Sequence, residues 1–281
     1  MSVKKNILNY KYDKYSTCGN DGIIEYIFKE LAVNTGFFVE FGAWDGIKGS
    51  NCRRLYEYGW SGLFIESNKN KFDYLQQNYK KDKNIRCVNI AVGFSGNNLF
   101  DNILENTYKK VPQIAFCSID IDGLDLEIFE TIIKHLPIVV CIEGGQVLHP
   151  FYKRVPKIIA KYNIQQSLQV MNSVFESKGY KLLCSYQDAF FIKKEFFTFF
   201  NVSKSLLEQY YNGLLAIPRR IPYIQQCLDT VKLTNSIIIN ILQQTNYKSY
   251  GFDRRKEWII KEYDKVIQII KNLYKEDLKK C

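Results

Sequence analysis

The chain has 281 residues, of which 46% are hydrophobic and 15% aromatic, with 6 Pro and 16 Gly. That apolar content excludes an intrinsically disordered chain, and the length supports a full core without disulfide or metal staples. The formal net charge of +10, from 39 basic and 29 acidic residues, favours acidic partners such as phosphorylated sugars, nucleic acid or anionic lipid.

No long block of like charge marks a nucleic-acid tail. No apolar run is long enough to span a bilayer. The opening MSVKKNILNYKYDKY lacks the apolar core of a signal peptide. A cytoplasmic protein without a transmembrane segment is therefore expected. The cysteines are Cys18, Cys52, Cys87, Cys117, Cys141, Cys184, Cys227 and Cys281. None forms a CxxC pair, so reduced core cysteines are expected rather than a zinc ribbon.

The apolar spacing of Ile23, Ile24, Ile27, Phe28 and Leu31 predicts a helix over 21–31. FFVEF (37–41) reads as a strand and runs into GAWDG. A helix with Leu55 and Tyr56 follows, then a strand over 62–66, a helix over 70–79 and a strand over 85–90. IAFCSID (114–120) is the fourth strand, 124–135 a helix and IVVCIE (138–143) the fifth strand. A helix over 163–178 leads to strands over 180–185 and 189–193. Strands alternating with helices predict a Rossmann-like, doubly wound, mostly parallel sheet of seven strands that ends in an antiparallel hairpin. Beyond residue 197 the pattern turns helical, over 203–211, 223–244 and 254–279. Ile259, Tyr263, Val266, Ile267, Ile270 and Leu273 form an apolar stripe in the last of these. This helical extension can pack on the sheet, close as a lid or form a homodimer interface.

In open α/β sheets, ligands bind at the carboxyl ends of the strands. Behind the first strand stand Glu40-Phe41-Gly42-Ala43-Trp44-Asp45-Gly46, with two glycines that let the backbone approach a ligand. Glu66 ends the second strand, where an acid can take two ribose hydroxyls. Asp120-Ile121-Asp122-Gly123 follows the fourth strand, and Glu143-Gly144-Gly145, with His149 behind it, follows the fifth. Each feature has a structural alternative: a plain turn, a solvated strand end, a helix cap or a surface histidine. Four acidic strand ends on one edge repel one another unless a ligand or cation compensates them.

The segment 15–193 resembles the FkbM-like branch of class I S-adenosylmethionine-dependent methyltransferases. YSTCGNDGIIEYIF, FVEFGAWDGIKGSN, GWSGLFIESNKNKFDYLQQNY and SIDIDGLDLEIFETI with IVVCIEGG carry the likeness. Thr17 stands where the family commonly has Gln, and Asn20 where it commonly has Glu. The resemblance implies a methyltransferase domain over 1–197; the helical extension over 198–281 carries no pattern of that family. The resemblance also implies that Glu40, Gly42, Ala43, Trp44, Asp45 and Gly46 hold the methionine part of S-adenosylmethionine. Ser50 and Asn51 would meet its carboxylate, Glu66 its ribose and Ala91 its adenine.

An acceptor hydroxyl must lose its proton, to a base or with the help of a divalent metal. Asp120, Asp122 and Glu143 are the oxygen ligands that Mg²⁺ or Mn²⁺ takes. Asp120 and Asp122 are thus read as catalytic, with His149 as the base. A sugar or glycan hydroxyl is the expected acceptor. Methylation of RNA ribose is the alternative, kept open by Arg219-Arg220 and Arg254-Arg255-Lys256. No NPPY-like motif follows the fourth strand, which argues against base N-methylation. A methyltransferase fold retained as an inactive binding subunit is the remaining alternative.

Overall fold

The run Phe37–Phe41 forms strand β1 and is buried at every position. Phe37, Val39 and Phe41 enter one apolar cluster, and Phe38 enters another on the opposite face. A strand covered on both faces has no solvent side, so FFVEF lacks the usual polar alternation. These features come from a computed structural model, which describes residues 6–160, 164–203, 205–218, 221–222, 243–244 and 255–279.

The other strands are β2 (Ser61–Ile65), β3 (Ile85–Val88), β4 (Ile114–Ile119), β5 (Val139–Glu143), β6 (Tyr180–Ser185) and β7 (Asp188–Lys193). They form one sheet in the order β3-β2-β1-β4-β5-β7-β6. β1 to β5 pair in parallel, while β7 runs antiparallel to β5 and to β6. The expected seven-stranded sheet with its terminal hairpin is therefore present. The strand order reverses between β1 and β4, and a crevice opens where the connections leave in opposite directions.

Helices α1 (Asn20–Glu30), α2 (Arg53–Glu57) and α3 (Lys69–Tyr79) cover one face through Ile23, Ile27, Leu55 and Leu75. The other face is covered by α4 (Phe100–Thr107), α5 (Asp125–Thr131), α6 (Lys157–Ala160) and α7 (Leu168–Ser177). Phe175 lies stacked between Phe129 and Phe191, with ring centroids 3.8 and 3.7 Å away. Helices α8 (Leu206–Ala216) and α9 (Arg255–Leu278) add Tyr210, Leu214, Ile269 and Ile270 to that same cluster. No helix among the described residues is long and apolar enough to cross a membrane.

Several boundaries differ from expectation for local reasons. Helix α5 stops at Thr131 instead of 135. The buried carboxylate of Asp101 accepts the N–H groups of Ile133, Lys134 and His135 at 2.9, 3.0 and 3.1 Å. Those donors are thereby taken away from the helix. Helix α4 was not anticipated, because Leu99 precedes it without a side-chain cap. Helix α7 begins only after Ser167, whose hydroxyl accepts the Val170 N–H. The helix expected over 223–244 lies outside the described residues apart from 243–244. Arg219, Arg220 and Arg254 also lie outside them, as do the side chains of Arg255, Lys256, Ile259, Tyr263 and Val266.

Candidate active site

Glu40 is the fourth residue of β1 and is buried. Its Oε2 accepts the Ser50 hydroxyl at 2.6 Å, and its Oε1 accepts the Asn51 N–H at 2.7 Å. Burial pushes the carboxyl up to about 7; the two bonds pull it down and the charge of Asp120 pushes it up again. Two residues on, Gly42 has φ +67°, and a Cβ there would lie 1.9 Å from the Asp120 carbonyl oxygen. Only glycine lets the exits of β1 and β4 lie this close.

Trp44 is left-handed at φ 50°. Its N–H donates to Glu66 Oε2 at 2.8 Å, and the Asn68 N–H donates to Glu66 Oε1 at 2.7 Å. Both oxygens of this buried acid are thus engaged once. A carboxylate has about four acceptor positions, so each oxygen keeps one for a further donor. Asp45 and Gly46 build the turn rather than line the site. Asp45 Oδ1 accepts the N–H groups of Ile47 and Lys48 at 2.8 Å each, and the Gly46 carbonyl accepts the Tyr79 hydroxyl.

A cavity of about 610 Å³ opens at the ends of β1, β2 and β4. Of the expected residues, it is lined by Glu40, Gly42, Ala43, Trp44, Ser50, Asn51, Glu66, Ala91, Asp120 and Asp122. Thr17, the departure noted in the first motif, also lines it, as do Lys48, Gly49, Ser67, Asn68 and Lys71, which were not anticipated. Asn68 and Lys71 follow Glu66 closely, and that adjacency was the available signal. Thr17 arrives from the N-terminal segment, which is tied down by the Asp21 carboxylate. That carboxylate accepts the N–H groups of Lys14, Tyr15 and Ser16 at 2.7, 2.7 and 2.9 Å.

Asp120, Asp122 and Glu143 come together, with one oxygen from each lying within 4.8 Å of the others. The first two are exposed and Glu143 is buried. Asp122, Gly123 and Leu124 are consecutively left-handed, at φ 59°, 122° and 65°. For the two non-glycine residues that backbone costs about 1–3 kcal/mol each. Asp125 holds the loop in this shape by accepting the N–H groups of Ile121 and Gly123 at 2.9 and 3.0 Å. Burial and the Asp120 charge raise the Asp125 carboxyl to about 8.

His149 is not among the lining residues. Its Nε2 lies 3.5 Å from Asp277 Oδ2 on α9, and its ring leans on Tyr210 of α8. The fold directs the histidine expected as a base towards the C-terminal helices. The reason is local: the loop behind β5 turns to pack Val147 and Leu148 into the core, and His149 follows them.

No protein-family model matches the chain, and no curated protein matches it in sequence. Solved structures similar in shape include a SAM-dependent methyltransferase from Aquifex aeolicus, at 13% identity and a TM-score of 0.36 over 60% of this chain and 86% of that one. Precorrin-6y C5,15-methyltransferase from Geobacter metallireducens is similar at 13% identity and 0.39, over 65% and 90%. A TehB-like SAM-dependent methyltransferase from Corynebacterium glutamicum is similar at 13% and 0.39, over 67% and 93%. Likenesses this distant transfer no function to the chain.

Proposed function

We propose that the chain is an S-adenosylmethionine-dependent O-methyltransferase of the FkbM-like type, acting on a sugar or glycan hydroxyl with a divalent cation. The observation that carries this reading is the placement of Glu66. It is a buried acid held by two backbone N–H groups, with acceptor capacity left on both oxygens, at the edge of a cavity of about 610 Å³. That volume falls within the usual range for small-molecule and cofactor sites.

The residues fit the cofactor. Glu66 would take the ribose diol, with Ala91 beside the adenine. Gly42 and Ala43 leave backbone open to the methionine part, and Ser50 and Asn51 lie where its polar end would reach. When bound, S-adenosylmethionine supplies an activated methyl group, and the chain's task is to bind and orient the acceptor in line with it. The three clustered acids fit a hard cation such as Mg²⁺ or Mn²⁺, since all three offer oxygen within a small sphere. Asp120 and Asp122, both exposed, would hold the acceptor hydroxyl and pass its proton to water. His149 faces Asp277, so in this reading the carboxylates do the base's work.

Calorimetric titration with S-adenosylmethionine and S-adenosylhomocysteine, with and without Mg²⁺, tests the proposal. Micromolar binding that is lost in Glu66→Ala supports it. Absence of binding under every condition means that the strand-end acids serve another ligand.

A further inference from the structure

Asp188 opens β7 as a buried acid in register with Glu143 of β5. It does not line the cavity, yet it is joined to it through a single side chain. Asn20, at the start of α1 and 1% exposed, donates from Nδ2 both to Asp188 Oδ2 and to Asn51 Oδ1, the latter at 2.9 Å. The Oδ1 of Asn20 accepts the Tyr186 hydroxyl from the β6–β7 turn. Asn51 passes the link on: its Nδ2 donates to Ser118 Oγ at 2.9 Å, and its backbone N–H donates to Glu40. Asn51 and Glu40 both line the cavity.

Chemistry restricts what can stand at position 20. The side chain must donate twice and accept once, which a carboxamide does and an ionised carboxylate cannot. A carboxylate there would also set a second negative charge against the buried Asp188. Asn51 has a donor end and an acceptor end. The donor from Asn20 keeps its oxygen towards α1 and its amide towards Ser118. Without that donor the group can turn over and present the cavity with a different pattern.

We infer that Asn20 is a positioning residue for the cofactor cradle, fixing the orientation of Asn51 and taking its own orientation from Asp188 and Tyr186 in the β6–β7 hairpin. This rests on the cofactor reading above. It assigns a role to the residue at which the chain departs from the motif it resembles. It also ties the hairpin beside Glu143 to the loop that would hold the cofactor.

Calorimetric titration with S-adenosylhomocysteine tests the inference, at a temperature where circular dichroism shows each variant folded. Asn20→Asp is expected to lose about tenfold or more in affinity, the value of one buried charge-assisted hydrogen bond. Asp188→Asn is expected to stay within about threefold, because an amide at 188 still offers an oxygen to Asn20. The double variant Asn20→Asp/Asp188→Asn is expected to recover stability but to stay about tenfold weaker in binding. In it, the carboxylate at position 20 accepts from the amide at 188 and from Tyr186, so the charge repulsion is gone, but it still cannot donate to Asn51, which stays overturned. A role in packing or charge balance alone restores affinity together with stability. If Asn20→Asp binds as tightly as the unsubstituted chain, or the double variant recovers its affinity, the inference is overturned. Should Asn20→Asp not fold, Tyr186→Phe carries the test: about threefold weaker binding is expected from one lost hydrogen bond, and unchanged binding overturns the inference. If the unsubstituted chain does not bind S-adenosylhomocysteine at all, it is the cofactor reading that fails, and this inference goes with it.

Discussion

The backbone N–H of Trp44 donates to Glu66 Oε2 at 2.8 Å, so the loop leaving β1 is fastened to the acid that follows β2. Glu66 thereby serves both the fold and the site. Glu66→Gln keeps the size but turns one acceptor into a donor, which then faces the N–H of Trp44 or of Asn68. The folded state should lose about 1–3 kcal/mol, the usual cost of an unpaired buried group. Urea unfolding followed by circular dichroism checks this. An unchanged midpoint and slope would mean that the two backbone bonds carry no net stability.

Gly42 and Gly49 make a matched pair for testing the approach of β1 to β4. Both are left-handed and both line the cavity. A Cβ at 42 meets the Asp120 carbonyl oxygen at 1.9 Å, whereas a Cβ at 49 has no atom within 4 Å. Gly49→Ala should cost only the conformational term of about 1–2 kcal/mol. Gly42→Ala adds a clash with backbone that cannot swing aside, so a loss of about 3 kcal/mol or more is expected, together with loss of cofactor binding. Equal losses in the two variants would show that the close approach is not needed.

The Glu40 carboxyl, raised to about 7 chiefly by burial, gives a pH dependence of definite sign. Its ordinary value, and hence its value in the unfolded chain, lies near 4.3. Between the two values the folded state holds more protons than the unfolded state, so stability falls as pH rises through this window and levels off above it. Glu40→Gln removes the effect. From about pH 4 to about pH 8 the variant should gain on the unsubstituted chain by an amount on the order of 3 kcal/mol. Denaturant titrations of both proteins across that range give the difference directly. A constant difference would mean that Glu40 titrates normally.

Most of the sheet was legible in the sequence because each strand is an apolar run and each ends in a residue of different character. Glu40, Glu66, Asp120 and Glu143 sit at strand ends for that reason, and the parallel topology gathers those ends on one edge. What escaped reading were contacts between residues far apart in sequence. The N–H groups drawn away from the end of α5 are accepted by the carboxylate of Asp101. Asp45 looked like a ligand residue because it stands in the glycine turn, but its oxygen is spent on Ile47 and Lys48 within the turn itself. Asn20 stood out as a departure from a motif, and its partners at Asn51, Tyr186 and Asp188 become visible only once the sheet brings them together.

Asp122 should separate cation binding from cofactor binding. Asp122 is exposed and lies at the strained turn behind β4. Asp122→Ala removes a proposed oxygen ligand and relieves like-charge crowding, so the fold should persist. S-adenosylhomocysteine affinity should remain within about threefold, while Mg²⁺-dependent turnover falls by about a hundredfold or more, as loss of a metal-bound nucleophile would cause. Full turnover in Asp122→Ala, or in the presence of a chelator, would exclude the cation from the reaction.

His149 provides the complementary control. Asp277 Oδ2 accepts the Tyr211 hydroxyl at 2.6 Å and lies 3.5 Å from His149 Nε2, so the imidazole helps to join the loop behind β5 to α9. The pair is partly exposed, and such a contact is worth at most about 1 kcal/mol. His149→Asn should therefore leave turnover within about threefold, since general-base removal typically costs about a hundredfold or more. Limited proteolysis should show somewhat faster cleavage near α9, because one of the contacts that dock it is gone. A hundredfold fall in turnover with unchanged proteolysis would place His149 at the reacting centre after all. It would then require the loop behind β5 to swing from α9 towards the cavity when substrate binds.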